Sequence, residues 1–317
     1  MRLRDRAIST LDSVNSAKSA LRLLRRFAGR LGGGYILAFH SISVGRFLEH
    51  VNALEGEVPV SIDEMMELKL KGQSTAGLFA ITFDDGYADT VPAIAESAIA
   101  RNIPVTFYLP VKYLETGTML PLVFHRLIAS LPSTDIAVQG SVIRLSEPSV
   151  KVRYFRELRR AMYTRNERAF RPVLDALIDA VLKAKVLTET QIFDVPRPVT
   201  WNQVKELSRH RIISFQSHGM SHQSVVSLEE EELRRELLES KDAIEQHTKI
   251  AVNHFCYPYG GRESIGECAP GVVRKYYQSA VTMMRGRVGN SNPWFLPRIP
   301  LYERDSAAVA GVKVLTR

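Results

Sequence analysis

The stretch Leu78-Phe79-Ala80-Ile81-Thr82-Phe83-Asp84-Asp85-Gly86-Tyr87 organises the reading of this chain. Its first six residues form an apolar run rich in aromatic and β-branched side chains, which predicts a buried strand. The run stops at two adjacent carboxylates, and Gly86 permits a sharp turn away from the strand. Asp84 and Asp85 are therefore expected at a strand's C-terminal end, where α/β folds place their chemistry. Successive residues there point in different directions, so one carboxylate can hold a cation while the other stays available as a base. Taken alone, Asp-Asp-Gly reads equally well as a surface turn.

Outward from this stretch, strands and helices alternate. Tyr35 to Phe39 is a second buried-strand run, and it ends at His40, an exit like that of Asp84. Helices are expected over Phe47 to Leu54 and after Ser61, an N-cap with Glu64 at the capping-box position. A helix over Ala88 to Arg101 and a strand over Val105 to Leu109 complete a βαβ unit, hence a parallel sheet. Residues 115–195 break the rhythm. Arg153 to Lys185 is strongly helical and basic, and the region reads as a helical insertion over the catalytic face. The alternation resumes with Thr200 capping a helix Trp201 to Arg209 and a strand Ile212 to Gln216. A helix Leu228 to His247 follows, with Ser227 and Glu230 as its capping box. Strands at His254 and at Tyr277 to Thr282 come next, and Phe295 to Ile299 is a last strand or rim segment.

Composition sets the outer bounds. The 317 residues are 45% hydrophobic and 24% charged, enough for a sizeable core. Two cysteines, Cys256 and Cys268, exclude a disulfide framework and a cysteine-based zinc site. No apolar run approaches the ~20 residues of a membrane span. Arginines recur through residues 1–30 and leave no uncharged apolar core for a secretory signal, so a cytoplasmic protein is expected. The net charge of +8 is concentrated. Residues 1–30 and 151–171 each hold eight basic residues against two acidic ones, and the remainder is slightly acidic. In the first segment Leu11, Val14, Leu21, Leu24 and Phe27 share a stripe, which predicts a basic amphipathic helix. Such a helix can lie on an anionic membrane, pack on the main fold or meet a second subunit. Tyr154, Phe155 and Tyr163 in the second segment follow helical periodicity as core contacts, so no nucleic-acid partner is expected. Oligomeric state stays open.

His218 and His222 stand four apart just beyond a strand, a spacing at which one helical turn puts both imidazoles on one side. Two histidines and a carboxylate are a common three-ligand set for a catalytic divalent metal. The pair alone reads equally as surface histidines in a loop. In combination with Asp84-Asp85-Gly86 and with Tyr257-Pro258-Tyr259-Gly260 at a third strand exit, it is far more specific.

These residues resemble the polysaccharide deacetylase family, carbohydrate esterase family 4, also called the NodB-homology family. Thr82 to Gly86, His218 to His222 and Tyr257 to Gly260 are similar to its three motifs in order, and Leu296-Pro297-Arg298-Ile299 to a segment near its end. The resemblance covers about residues 35–302 apart from the insertion. It implies an α/β fold, a distorted (β/α)7 barrel over residues 32–317 with the helical insertion 115–195, preceded by the N-terminal amphipathic helix 1–31. It also implies metal-dependent removal of an N- or O-acyl group from a sugar. Carried over by position, Asp85, His218 and His222 hold one divalent metal ion, zinc before cobalt, nickel or manganese. Asp84 is the general base, and Tyr259 offers its backbone N–H to the oxyanion.

The chain departs from the family pattern at three places. Gly219 stands where many members have Ser or Thr. Phe255 stands where many have an arginine, three residues before the proline, that steadies the base; Arg298 is the candidate substitute. No histidine follows His254 to serve as a late catalytic acid. A branch of the family takes that histidine from an early strand ending in Tyr/Phe-His, which Phe39-His40 matches, so His40 is assigned as the acid. The expected substrate is an acetylated amino sugar, poly- or oligosaccharide or a lipid- or nucleotide-linked precursor at the inner face of the membrane. Rival readings are deformylation or O-deacetylation on the same site, and a catalytically silent scaffold of a polysaccharide export system.

Overall fold

In the computed structural model, which describes residues 33–130, 135–138, 141–144, 146–164 and 167–315, the central run is the strand Leu78–Phe83, buried from Phe79 onward. Numbered along the chain, the strands are β1 (Tyr35–Phe39), β2 (Val58–Pro59), β3 (Leu78–Phe83), β4 (Val105–Leu109), β5 (Ile136–Val138), β6 (Ser141–Ile143), β7 (Ile213–Ser217), β8 (His254–Cys256), β9 (Ser279–Val281) and β10 (Ile299–Pro300). The main sheet runs β10-β1-β3-β4-β7-β8-β9, with β2 beside β3. All its pairings are parallel. This curled sheet is a half-barrel of the distorted (β/α)7 type. One short segment staples its open side: Leu296 bridges Val281, while Ile299 and Pro300 pair with Leu37 and Ala38.

The period-two alternation of the strands sorts side chains between helix layer and barrel interior. Phe39, Phe83, Phe107 and Phe215 lie in cross-strand register. Their rings follow one another at 5.0, 5.4 and 5.6 Å between centroids. Phe47, from the helix Val44–Asn52, packs on Phe39 and Phe83. The even-numbered neighbours Ile36, Ala80, Tyr108 and Cys256 form a separate apolar cluster with Leu296 and Val288. Thr82 and Asp84 belong to that inner row, and there they meet Arg298, which is fully buried.

Arg298 uses all five of its N–H donors. Nε donates to the Thr282 carbonyl (2.9 Å), and Nη1 to Thr82 Oγ1 (3.0 Å) and Asp84 Oδ1 (2.7 Å). Nη2 donates to Asp84 Oδ2 (2.7 Å) and faces the sulfurs of Cys256 and Met283. The guanidinium also lies over the Tyr108 ring. It enters from the segment that staples the sheet and grips the exit of β3 by a two-pronged ion pair.

Several sequence expectations move. Arg153 to Lys185 is two helices, Pro148–Thr164 and Glu167–Lys183. They pack with Leu120–Ser130 around Phe124, Leu158, Phe170, Leu174 and Leu177, a core separate from the barrel's. The antiparallel pair β5–β6 in this region had no signal in hydrophobic periodicity. The helix expected from Leu228 is Glu230–Thr248, capped by Glu229 with Glu232. Ser227 instead ends a 3-10 turn and donates its hydroxyl to the Ser224 carbonyl (2.6 Å), because Leu228 is extended. Thr200 and Ser61 are N-caps as expected; Gln203 completes a capping box with Thr200, whereas Ser61 accepts from the Glu64 N–H alone. The helix expected over residues 1–31 lies outside the described residues. Among the described residues no helix is long and apolar enough to cross a membrane.

Removing one partner of a buried ion pair leaves the other charge stranded. Arg298→Met is expected to lose about 3–5 kcal/mol in urea unfolding. Asp84→Asn combined with Arg298→Met is expected to regain much of that loss. A single Met variant as stable as the wild type would contradict the account of the barrel interior.

Candidate active site

Strand register brings the sequence-predicted residues to one place. Phe39 is paired with Phe83, so His40 and Asp84 emerge side by side, and the Asp84 N–H donates to the Phe39 carbonyl (2.9 Å). His40 Nε2 lies 3.9 Å from Asp84 Oδ2, with the side chain 39% exposed. After Asp84 the chain turns through two left-handed residues, Asp85 (φ 69°) and Gly86 (φ 67°). The left-handed turn favours glycine at 86, and a Cβ there would stand 2.6 Å from Leu109 Cδ2 and force that side chain to shift. Ser217 is paired with Leu109 and Phe255, so His218 leaves β7 beside both neighbouring strands.

The two histidines converge with Asp85, though not through a helical turn. Residues 218–222 form a loop, left-handed at Gly219 (φ 82°) and His222 (φ 57°). That loop swings the imidazoles edge to face at 4.8 Å and brings Nε2 of His218 and His222 to 3.6 and 3.4 Å from Asp85 Oδ1. The donor atoms of Asp85, His218 and His222 all lie within 4.8 Å of one another, and all three residues are buried.

The proton on His218 follows from its hydrogen bond, whereas His222 Nδ1 is buried without a partner among the described residues. His218 Nδ1 is 2.8 Å from the Cys256 carbonyl, which can only accept, so Nδ1 carries the proton and Nε2 presents a lone pair to Asp85. Burial pushes the His218 pKa down to about 4, which keeps the ring neutral. Asp85 Oδ2 accepts from the Tyr87 hydroxyl (2.7 Å), while Oδ1 is buried without a partner. Burial alone would raise the Asp85 carboxyl, but His222 and His40 hold it well below the usual range. A buried carboxylate oxygen with no donor, facing two imidazole nitrogens, fits a divalent cation bound by nitrogen and oxygen.

A second group of possible ligands, Asp84, His218 and Cys256, fits less well. Both Asp84 oxygens accept from Arg298, and burial pushes the Cys256 thiol well up, away from the thiolate a metal needs. Burial opposes ionisation of Asp84 too, but Arg298 outweighs it and holds the carboxyl below its ordinary value. The strand β8 position that faces this pair is Cys256, whose Sγ lies 3.1 Å from Arg298 Nη2. Phe255, which stands where the family pattern has its arginine, packs on Tyr257 and Tyr277 on the other side of the strand, and Arg298, the candidate substitute, is the residue that meets Asp84.

A cavity of about 290 Å³ opens over these groups. Its outer wall comes from the segment between β4 and β7: Met119, Leu122, His125 and Tyr163. Tyr259 is left-handed (φ 62°), and its ring sits between Tyr163 (4.4 Å) and His222 (5.0 Å). Among the described residues no acceptor meets the Tyr259 N–H. A larger hollow of about 670 Å³, lined by Lys112, Arg168, Arg171 and Arg235, contains none of the candidate ligands. The chemistry therefore points to the smaller one. Sequence reading missed Tyr87, His125 and Tyr163. Tyr87 stands two residues after Asp85 and was legible as a neighbour, but nothing in the pattern tied the other two to this cavity.

The sequence model of the family described as polysaccharide deacetylase matches residues 166–267, which include His218, His222 and Tyr259. No curated protein sequence matches the chain. Among solved structures, the chain is similar to the Streptococcus pyogenes deacetylase PplD in complex with acetate, at 14% identity and a TM-score of 0.58, over 89% of this chain and 98% of that one. It is also similar to IcaB from Ammonifex degensii, at 15% identity and a TM-score of 0.57, over 90% and 98%. A third is the de-N-acetylase from Aggregatibacter actinomycetemcomitans, at 14% identity and a TM-score of 0.53, over 88% and 99%. The family model thus covers the part of the chain that carries His218, His222 and Tyr259, and the three deacetylases share the fold of the whole.

Proposed function

We propose that the protein is a metal-dependent carbohydrate N-deacetylase, which hydrolyses the acetamido group of an amino sugar to acetate and free amine. The observation that carries this reading is the partnerless Oδ1 of Asp85 facing His218 and His222, one residue from a carboxylate clamped by Arg298. The family match and the named deacetylases of like fold support the same reaction class. Asp85, His218 and His222 hold the cation, and zinc suits their nitrogen and oxygen donors. When bound there, a divalent ion lowers the pKa of water and polarises the acyl oxygen.

The chain's own groups do the rest. Asp84 takes the water's proton as oxygen adds to the acyl carbon. Arg298 keeps that carboxylate ionised and oriented, and each of its oxygens retains a second acceptor position. The lowered pKa weakens Asp84 as a base, in exchange for full ionisation at working pH. The Tyr259 N–H donates to the developing oxyanion. His40, beside Asp84 and open to solvent, protonates the nitrogen as the C–N bond breaks. The basic segments 1–30 and 151–171 suit an anionic, lipid- or nucleotide-linked sugar at the cytoplasmic face of a membrane. A protein that ignored anionic liposomes and accepted only long free polymer would exclude that substrate.

Acetate release from N-acetylated oligosaccharides and from a lipid-linked acetamido sugar is the direct test. Asp84→Asn is expected to slow it by about 10²–10⁴-fold while still taking up zinc. Dialysis against a chelator is expected to abolish release, and added zinc to restore it. Formate as the sole product would move the reading to deformylation. A wild-type protein that takes up no ion and releases no acid would leave the scaffold reading standing.

A further inference from the structure

Resting on the metal reading above, we infer that Glu236 is a positioning residue for the candidate metal site, holding the loop that carries His218 and His222. It lies about one turn and a half into the helix Glu230–Thr248, between Arg234-Arg235 and Leu237-Leu238, a sequence context with no hint of a special role. Its carboxylate reaches back to the loop. Oε2 accepts from the N–H groups of Met220 and Ser221, both at 2.9 Å, and Oε1 accepts from Ser221 Oγ at 2.5 Å. Two adjacent backbone donors and one hydroxyl thus converge on one side chain, all between the two histidines.

The remaining backbone bonds make Glu236 the completing member of a set. The His218 N–H donates to the Leu109 carbonyl, and the Gly219 N–H to Ser217 Oγ (3.1 Å). The Gly219 and Met220 carbonyls accept from Val111 and Lys112. Without Glu236, the N–H groups of Met220 and Ser221 would have no described acceptor. The helix itself is keyed to the barrel one turn further on, where Ser240 Oγ meets Ser217 Oγ at 2.7 Å. Glu236 therefore transmits the rigidity of barrel and helix to a loop whose last residue, His222, sits in a left-handed conformation.

Gly219 fits the same arrangement. At φ 82° a side chain is strained, and a Cβ there would lie 3.3 Å from Glu236 Oε2. The loop thus dispenses with a side chain at 219 and takes its acceptor from the helix. Glycine at 219 and glutamate at 236 are two halves of one device.

The test is zinc affinity of the full-length protein, measured by competition with a chromophoric chelator, with metal-free thermal unfolding run alongside. Glu236→Ala is expected to weaken zinc binding by about 10–100-fold. Glu236→Gln, which keeps an acceptor for the two backbone donors, is expected to retain most of it. Ser221→Ala removes the hydroxyl bond to Glu236, along with the one its Oγ accepts from Gln223 Nε2 (2.8 Å), while Gln223→Ala removes, of these two, only the latter and serves as its control. About a two- to tenfold loss is expected for Ser221→Ala over that control, and it decides the matter if Glu236→Ala does not fold. Wild-type zinc affinity in a folded Glu236→Ala, or no loss beyond the control in Ser221→Ala where Glu236→Ala fails to fold, overturns the inference alone. A wild type that binds no divalent ion overturns the metal reading together with it.

Discussion

A guanidinium enclosed on every side is tolerable only if each N–H finds an acceptor and the charge meets its opposite. Arg298 satisfies both conditions, and the rest of the molecule is arranged around its doing so. Its backbone belongs to the segment that staples β9 to β1, and its fork closes on Asp84 at the exit of β3. Closure of the sheet and orientation of the candidate base are therefore one event. The interaction also explains the character of the barrel interior. Thr82 supplies an acceptor oxygen, Tyr108 an aromatic face and Cys256 a small polarisable neighbour, where a larger aliphatic side chain would collide with the fork or leave donors unanswered.

From that centre, register does the positioning. Phe39 with Phe83, Leu109 with Ser217 and Ser217 with Phe255 set successive strand ends level with one another, so His40, Asp84 and His218 emerge around one rim. The chain then has to turn each functional group inward within one or two residues. It does so with three non-glycine residues in the left-handed region: Asp85, His222 and Tyr259. Each such residue costs on the order of 1–3 kcal/mol. These residues are three of the groups assigned to the chemistry, and each is fastened nearby: Asp85 through Tyr87, His222 next to Ser221, whose N–H is held by Glu236, and Tyr259 by ring contacts on both sides. The strain is local, and the framework that bears it is the parallel sheet beneath.

Much of this was legible in the amino-acid order, for a physical reason. Buried parallel strands announce themselves as apolar runs, so β1, β3 and β4 fall where Tyr35 to Phe39, Leu78 to Phe83 and Val105 to Leu109 predict them. The carboxylates and imidazoles at the strand exits stand out because nothing else in such runs is polar. Periodicity was blind to what depends on contacts distant in sequence. The spacing of His218 and His222 suggested a helical turn, yet Gly219 makes a loop that reaches the same convergence by another path. The hairpin β5–β6 pairs two three-residue strands, too short to show alternation. His125 and Tyr163 join the cavity only because the helices of the insertion lean over the barrel mouth.

The departures from the family pattern are instructive once the side chains are in place. Missing groups usually suggest lost chemistry, but at each of these places a different part of the chain brings in another polar side chain. The strand face that meets Asp84 carries Cys256, small enough to admit a guanidinium arriving from residue 298, more than 200 positions along the chain from the carboxylate it grips. The loop that lacks a side chain at 219 has its N–H groups answered by Ser217 and Glu236. An early strand ends at His40 beside the same carboxylate, where a histidine late in the chain is absent. A hydrogen bond or ion pair is indifferent to which element supplies its donor, so long as distance and burial are met. Motif letters are thus a poorer record of a site's integrity than the satisfaction of its buried polar atoms. By that measure two buried atoms of the ligand cluster stand unmet among the described residues, Asp85 Oδ1 and His222 Nδ1, and the first faces both imidazoles.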